Sequence, residues 1–365
     1  MQPLIPRSLS RHVLMVGVYY KHNAPGGMAA VVQYYARYME GLRYVVSWRL
    51  GNALVRVGYA LTAWLRVLLT LLFDRQVKIV HLHTAADGSF WRKSSYMRLA
   101  KALGRKVVLH VHASRFKDFY NESSRKEAIV ANLRKADRLI VLSQSWREWF
   151  KGIGVDASRI IVLPNITDFP AEGAGRTEDG KLHLLFLGVI GPRKGVFDLL
   201  AALAQHKDEW AGKVVLRIGG NLHEQELLAT IRDNGLQGMA TFEGWVAGEH
   251  KQELLRWADI YVLPSYNEGL PIGILEAMSY GCPIISTPVG GIPEVVETGR
   301  NGVLVTPGDI DAIGQAIGKY IAQPALVRTE GEESRQRVSG YLPDAVMQQL
   351  SDIYTSLLLP HPAKA

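Results

Sequence analysis

Short β-branched runs alternate with helical patterns twice along this chain, and that alternation leaves few folds open to it. In the first half, "HVLMVGVYY", "RYVVSWRL", "VKIVHLHT", "RKVVLHVHAS" and "ADRLIVLSQ" are separated by helical stretches such as "MAAVVQYYARYME" and "SFWRKSSYMRLAKAL". Strand–helix alternation of this kind predicts a parallel sheet covered by helices on both faces. Residues 166–180, "ITDFPAEGAGRTEDG", break the pattern with Gly, Pro, Thr and acidic residues and read as a linker. The alternation then resumes with "KLHLLFLGVI", "KVVLRIGG", "ATFEGWV", "DIYVLPS", "CPIIST" and "GVLVT". The expected fold is therefore α/β, with two Rossmann-like doubly wound domains, residues 1–165 and 181–345, facing a cleft, and a helix and tail over 346–365. In "PDAVMQQLSDIYTSLLL", Val346, Leu350, Ile353, Tyr354 and Leu357 share one helical face. That face suits a helix packing back on the first domain, although the sequence does not say which domain receives it.

Charge divides the chain more sharply than hydropathy does. Residues 1–165 hold 26 Lys and Arg against 9 Asp and Glu, while the remainder holds 16 against 25, within a net charge of +8. So basic a first half points to an anionic surface or substrate, against the plainer reading of a solvated basic surface. The run "ALVRVGYALTAWLRVLLTLLF", Ala53–Phe73, approaches the length of a membrane span, but Arg56 and Arg66 make spanning costly. With the aromatics Trp64, Phe90 and Trp91 it suggests docking on an anionic membrane, the alternative being a core helix of the first domain. A single cysteine, Cys282, excludes an intramolecular disulfide and any Cys-based metal cluster, and fits a reducing compartment. The apolar run near the start begins with a histidine, is short and lacks a small-residue cleavage site, so a cytoplasmic protein is expected, peripheral at the inner face of the plasma membrane if docking holds.

If ligands bind outside the carboxyl ends of the strands, chemistry belongs in the loops that follow them. After the first strand, Gly26 and Gly27 precede a helical pattern and would leave N–H groups open to a phosphate, though a plain turn needs the same residues. "HLHT" and "HVHAS" place His81 with His83, and His110 with His112, on the same face of their strands. A dinuclear metal site competes with a hydrogen-bonding pocket there, and the absence of a neighbouring acidic ligand favours the pocket. "FLGVIGPRKGVFDLL" sets Arg193 and Lys194 between glycines at the end of a strand, an arrangement suited to a diphosphate. In "YNEGLPIGILEAMSYGCPIIST" two glutamates, Glu268 and Glu276, bracket a helix start. With Pro271 in the first turn, Gly269 and Leu270 would present N–H groups to an anion. Glu276 would reach ribose hydroxyls and Glu268 those of a sugar, since a carboxylate accepts two hydroxyls at once. Glu268 alone also reads as a favourable charge at a helix N-terminus. "DID" at 309–311, after "TPG", reads as a helix cap and not as a metal-binding triplet.

These residues resemble, over nearly the whole chain, the retaining GT-B glycosyltransferases of family 4. "NEGLPIGILEAMSYGCPIISTPVGGIPEVVETGRNGVLVTPGD" is similar to the family's donor-site signature, with Glu268 and Glu276 as its E-x7-E pair. "PGGM", "HVHAS", "VLPN", "PRKG" and "FEGWV" add supporting matches. The resemblance implies a nucleotide-sugar donor, UDP- or GDP-linked, held by the second domain, an acceptor held by the first, and retention at the anomeric carbon. It implies Glu276 as the ribose ligand, Glu268 and His112 beside the donor sugar, and Lys194 with Arg193 as the diphosphate clamp. Gly26 and Gly27 would face the diphosphate, and Trp245 and Val246 would lay backbone against the base. No cofactor or metal is implied. One departure stands out: Val189 occupies the place after "LG" where many relatives carry an arginine.

A glycan or a lipid-diphosphate-linked acceptor, in surface polysaccharide or glycolipid assembly, follows from family and charge. A sugar-nucleotide epimerase or a phosphorylase would use two similar domains in the same way, the first turning over a nucleotide sugar without acceptor and the second needing inorganic phosphate. A basic nucleic-acid-binding protein would need basic residues interleaved with exposed aromatics on a recognisable module, and none is present.

Overall fold

The computed structural model describes residues 3–22, 24, 26–112, 114–170 and 179–359. Most of the expected linker, 171–178, and the end of the tail, 360–365, lie outside the described residues, as do Pro25 of "PGGM" and Ala113 of "HVHAS". The chain divides into two compact units, residues 1–166 with 343–365, and residues 167–342.

The first unit is built on six strands: β1 (Val13–Val18), β2 (Tyr44–Trp48), β3 (Ile79–Thr84), β4 (Lys106–Val111), β5 (Arg138–Val141) and β6 (Ile160–Val162). They pair in parallel in the order β2-β1-β3-β4-β5-β6. β3 is buried along its full length, so both of its faces are covered and its polar residues His81, His83 and Thr84 lie in the interior with the apolar ones. The second unit repeats the plan with β7 (Leu182–Val189), β8 (Val214–Asn221), β9 (Ala240–Gly244), β10 (Ile260–Leu263), β11 (Ile284–Ser286) and β12 (Gly302–Leu304). Their order is β12-β11-β10-β7-β8-β9, again all parallel. In each sheet the chain adds strands on one side and then crosses to the other, so each has a switch point: between β1 and β3 in the first, and between β7 and β10 in the second. The expected α/β fold with two doubly wound sheets is the one observed.

Local signals place the helices. Asn52 caps Ala53–Phe73 by accepting from the Val55 N–H, and Ser143 caps Gln144–Gly152. The "DID" segment is a cap as expected, Asp309 Oδ1 accepting from the Ala312 N–H at 2.9 Å ahead of Ile310–Ala322. Two expectations change. Phe90 is fully buried and Trp91 packs against the same core, so of the three aromatics named for a membrane face only Trp64 is exposed. Ala53–Phe73 is not a core helix either: only Ala63, Val67 and Leu71 are buried.

The last helix, Pro343–Leu358, begins three residues earlier than its apolar face suggested and belongs to the first unit. It buries Val346, Met347, Leu350, Ile353, Tyr354 and Leu357. The Tyr354 hydroxyl meets His81 Nδ1 at 2.6 Å with both groups buried. Removing one partner of such a pair strands the other without water. Tyr354→Phe is expected to lower the unfolding free energy of the first unit by about 1–3 kcal/mol, measured by urea denaturation with a probe in that unit.

Candidate functional site

Strand order in the second sheet decides which loops can cooperate. β7 and β10 are neighbours at the switch point, so the loops leaving their carboxyl ends meet although β8 and β9 lie between them in sequence. The first loop is "GPRKG" and the second "PSYNEG". Gly195 closes the first at φ +69°, and a Cβ there would stand 2.1 Å from the Pro264 carbonyl oxygen, so only glycine lets the turn abut the end of β10. Lys194 Nζ thereby donates to Glu268 Oε1, which also accepts from Ser265 Oγ at 2.8 Å. Both members of this ion pair are largely buried. Arg193 is engaged differently: its Nη1 donates to the Asn267 carbonyl at 2.9 Å, and its own carbonyl accepts from the Tyr266 N–H at 2.9 Å. The guanidinium thus shapes the glutamate loop, beside the lysine that neutralises it.

A third loop fixes Glu268 from behind. Gly290 has φ +57°, and a Cβ there would lie 2.1 Å from the Glu268 carbonyl oxygen, while the Gly291 N–H donates to the Gly269 carbonyl at 2.6 Å. The helix that follows the glutamate starts one residue later than expected. Pro271 is its N-cap, with ψ 123°, and Ile272–Ser279 is helical. The donors without intrahelical acceptors are therefore those of Ile272, Gly273 and Ile274, and not those of Gly269 and Leu270, which lie buried in the preceding loop. Gly273 lets β10 approach, since a Cβ would meet the Tyr261 hydroxyl at 2.4 Å. That hydroxyl donates to the Leu187 carbonyl at 2.9 Å. Burial holds the phenol well above its ordinary pKa, and the carboxylates of Glu276 and Glu268 push it the same way. Glu276 is paired through Oε1 with Lys251 Nζ at 2.5 Å. Trp245 is about half exposed, and Val246 is buried over Gly219. Val189, at the end of β7, is exposed. Lys251, Ser265 and Gly290 were not singled out from sequence; Gly290 alone had a signal there, inside "TPVGG".

The first unit holds the other named residues. Gly26, at φ +108°, is the N-cap of helix Gly27–Tyr38, and nothing lies within 4 Å of where a Cβ on either glycine would be, so both present open backbone. His81, His83, His110 and His112 form one stacked group at the ends of β3 and β4, beside the switch point. His83 Nδ1 and His112 Nε2 share a hydrogen bond at 2.9 Å, and His81 Nε2 lies 3.3 Å from His110 Nδ1. The ligand atoms of His81, His83 and His110 fall within 4.8 Å of one another, close enough to gather round a cation. Burial depresses every ring: His112 to about 3, and His81 to about 3 with a further push from the charge of His112. His83 and His110 are held well below the usual histidine range by burial first and by their neighbours second. All four are neutral imidazoles near pH 7. A buried lysine stands nearby: Lys93 Nζ donates to Ser47 Oγ, and burial holds its ammonium well below the ordinary range.

Two parallel doubly wound sheets, with a helix-start donor set and paired glutamates on the second, define the GT-B class. Known proteins place the chain within it. Residues 181–323 match the family described as Glycosyl transferases group 1, and residues 8–166 match the Glycosyl transferase 4-like domain. The chain belongs to the group 1 glycosyltransferases. It is similar to the 2-deoxystreptamine N-acetyl-D-glucosaminyltransferase of Niallia circulans, at 24% identity over 75% of this chain and 76% of that one. A glycogen synthase of Mycobacterium tuberculosis is 28% identical over 57% of this chain and 51% of its own length, so the chain spans about half of that relative. The Anabaena protein HepE, solved with UDP, superposes with a TM-score of 0.76 at 20% identity, covering 94% of this chain and 99% of that one.

Two expectations follow. Gly290→Ala must displace the Glu268 backbone, because its Cβ would stand 2.1 Å from that carbonyl oxygen at a φ of +57°; such overpacking is expected to cost the second unit about 1–3 kcal/mol, read by urea denaturation with unchanged stability of the first unit as the control. Unfolded histidines take up a proton below about pH 6.5, whereas His81 and His112 stay neutral in the fold until about pH 3. Unfolding therefore draws in protons below pH 6.5, and stability falls as the pH drops through that window, by about 1.4 kcal/mol per pH unit for each such ring. Urea titrations at pH 7, 6 and 5, compared with His110→Gln, measure the slope.

Proposed function

We propose that this protein transfers a hexose-type sugar from a UDP-linked donor to a glycan or lipid-linked acceptor, with retention at the anomeric carbon, in surface polysaccharide or glycolipid assembly. The observation that carries the reading is the buried Lys194–Glu268 pair at the mouth of helix Ile272–Ser279, with Glu276 one turn further on. UDP is the favoured nucleotide because structural neighbours were solved with UDP and with UDP-glucose.

In this reading Lys194 and the N–H groups of Ile272, Gly273 and Ile274 hold the diphosphate, and Glu276 exchanges Lys251 for the ribose hydroxyls. Glu268 accepts from the sugar, Trp245 and Val246 lay backbone against the base, and Arg193 keeps the Glu268 loop in place. On the first unit, Gly26 and Gly27 leave open backbone, and His112 is a neutral imidazole that accepts or donates a hydrogen bond without adding charge. The bond from the anomeric carbon to the β-phosphate oxygen breaks, the acceptor oxygen bonds on the same face, and the acceptor proton passes to the departing diphosphate. Negative charge grows on that leaving group, so donors fixed in advance stabilise the transition state more than the ground state. Lys194 and the helix-start donors take the part that a divalent cation plays for other leaving diphosphates, and we propose turnover without metal.

Calorimetry with UDP-, GDP- and ADP-sugars tests the donor. One nucleotide should bind selectively to wild type and be lost in Glu276→Ala; Lys194→Ala should lower kcat by about 100- to 1,000-fold. No binding to wild type across the panel overturns the reading, and donor turnover without acceptor would favour an epimerase. Anomeric NMR of the product reads the stereochemistry, and full activity in EDTA reads the metal.

A further inference from the structure

Helix Ala53–Phe73 shows the solvent an apolar face that the fold leaves uncovered. Leu54, Leu61, Leu65, Leu69 and Leu72 follow one another at seven, four, four and three residues, which stacks them on one side over about 30 Å. Each is between 43% and 82% exposed. The opposite strip, Ala63, Val67 and Leu71, is buried in the core of the first unit with Val45 and Tyr96. That strip excludes a spanning role while the unit is folded, because crossing a bilayer would require the core to open.

The surroundings of this face are cationic. Between residues 41 and 86 there are six Lys and Arg and one acidic residue, Asp74, which is already paired with Arg43. Arg56 and Arg66 stand off the leucine row and are exposed, as are Arg49, Arg75 and Lys78 around the helix. At the helix's amino end Trp48, Val57 and Ala60 line a groove with Arg56 and Arg92. Arg92 Nε is buried there without a hydrogen-bond partner. An apolar row on a helix whose surroundings carry exposed cations, with an arginine-lined groove at its amino end, matches acyl chains under a layer of phosphate headgroups.

We propose that helix Ala53–Phe73 lies in the plane of an anionic lipid surface, its leucine row inserted among the acyl chains and its arginines on headgroup phosphates. This stands apart from the donor chemistry, so it can fail while the transferase reading holds. The test is co-sedimentation of the full chain with vesicles of phosphatidylcholine alone and with about one-third phosphatidylglycerol, at low and at high salt. Binding is expected on the anionic vesicles only, and to be released by salt. Arg56→Gln with Arg66→Gln should weaken it about fivefold per arginine. Leu61→Gln with Leu65→Gln should weaken it at least about tenfold, with circular dichroism and melting unchanged because both leucines are exposed. If the leucine pair disturbs folding, the arginine pair and the lipid dependence decide. Wild type left in the supernatant with anionic vesicles at low salt overturns the proposal, as do variants that bind like wild type. Light scattering that finds a dimer broken by the leucine substitutions, with no vesicle binding, would assign the face to a second copy of the chain.

Discussion

Lys194 and Glu268 are 74 residues apart in sequence and share a buried ion pair, and the rest of the second unit is arranged around that contact. Bringing two charges out of water costs several kcal/mol per ion before their attraction repays it, roughly in balance for a well-made pair. The pair is therefore a poor source of stability and a sensitive reporter of geometry. It forms because the switch point makes β7 and β10 neighbours, because Gly195 lets one turn touch the other strand's end, and because Gly290 and Gly291 hold the glutamate's backbone. Two of these devices are contacts that a single Cβ would destroy. A diphosphate arriving at Lys194 meets a cation whose position is already set, with little reorganisation left to be done.

The first unit solves a different problem, that of burying polar rings. His81, His83 and His110 are buried on the central strands β3 and β4 with His112 just beyond, and Lys93 is buried on the helix between those strands, where apolar packing would otherwise be expected. The imidazoles are tolerated because burial keeps them neutral and because they hydrogen-bond one another and Tyr354, while Lys93 donates to Ser47. The last helix is thus more than a cover for apolar surface, since it brings the hydroxyl that satisfies His81. Tyr354 comes 273 positions after that histidine. Such a closure ties the end of the chain to a unit completed long before it in sequence.

Much of this was legible in advance where a signal is local. Strand runs such as "VKIVHLHT" carry their own pattern, Asp309 its own cap, and the E-x7-E pair its own spacing. What depended on partners was not. Pro271 suits both the N-cap and the first turn through its φ, and only its ψ, set by the loop packed behind it, moves the helix start to Ile272. Lys251 and Ser265 have no motif, because their role lies in contacts with glutamates 25 and 3 residues away. Lys93 has no motif either: it is buried in helix Asp87–Ala102 and donates to Ser47, 46 residues earlier on β2. Phe90 was misplaced for the same reason: an aromatic at a helix start is equally compatible with a membrane face and with a core, and packing decides.

Net charge and local charge play opposed parts along this chain. Residues 166–365 carry 25 acidic against 16 basic side chains, yet the donor proposed for their site is itself anionic. Attraction there must come from Lys194, Lys251, Arg193 and oriented N–H groups at close range, since a diffuse negative surface is screened within about 10 Å while a partly buried cation is not. The first 165 residues act the other way, with 26 basic against 9 acidic side chains spread along the sequence. A spread of that kind does little for a small ligand and much for an extended anionic one, because each cation finds its own phosphate. An anionic bilayer would draw in the basic region and repel the acidic one, so on the proposed lipid docking the same asymmetry that attracts the protein would also choose which region meets the surface.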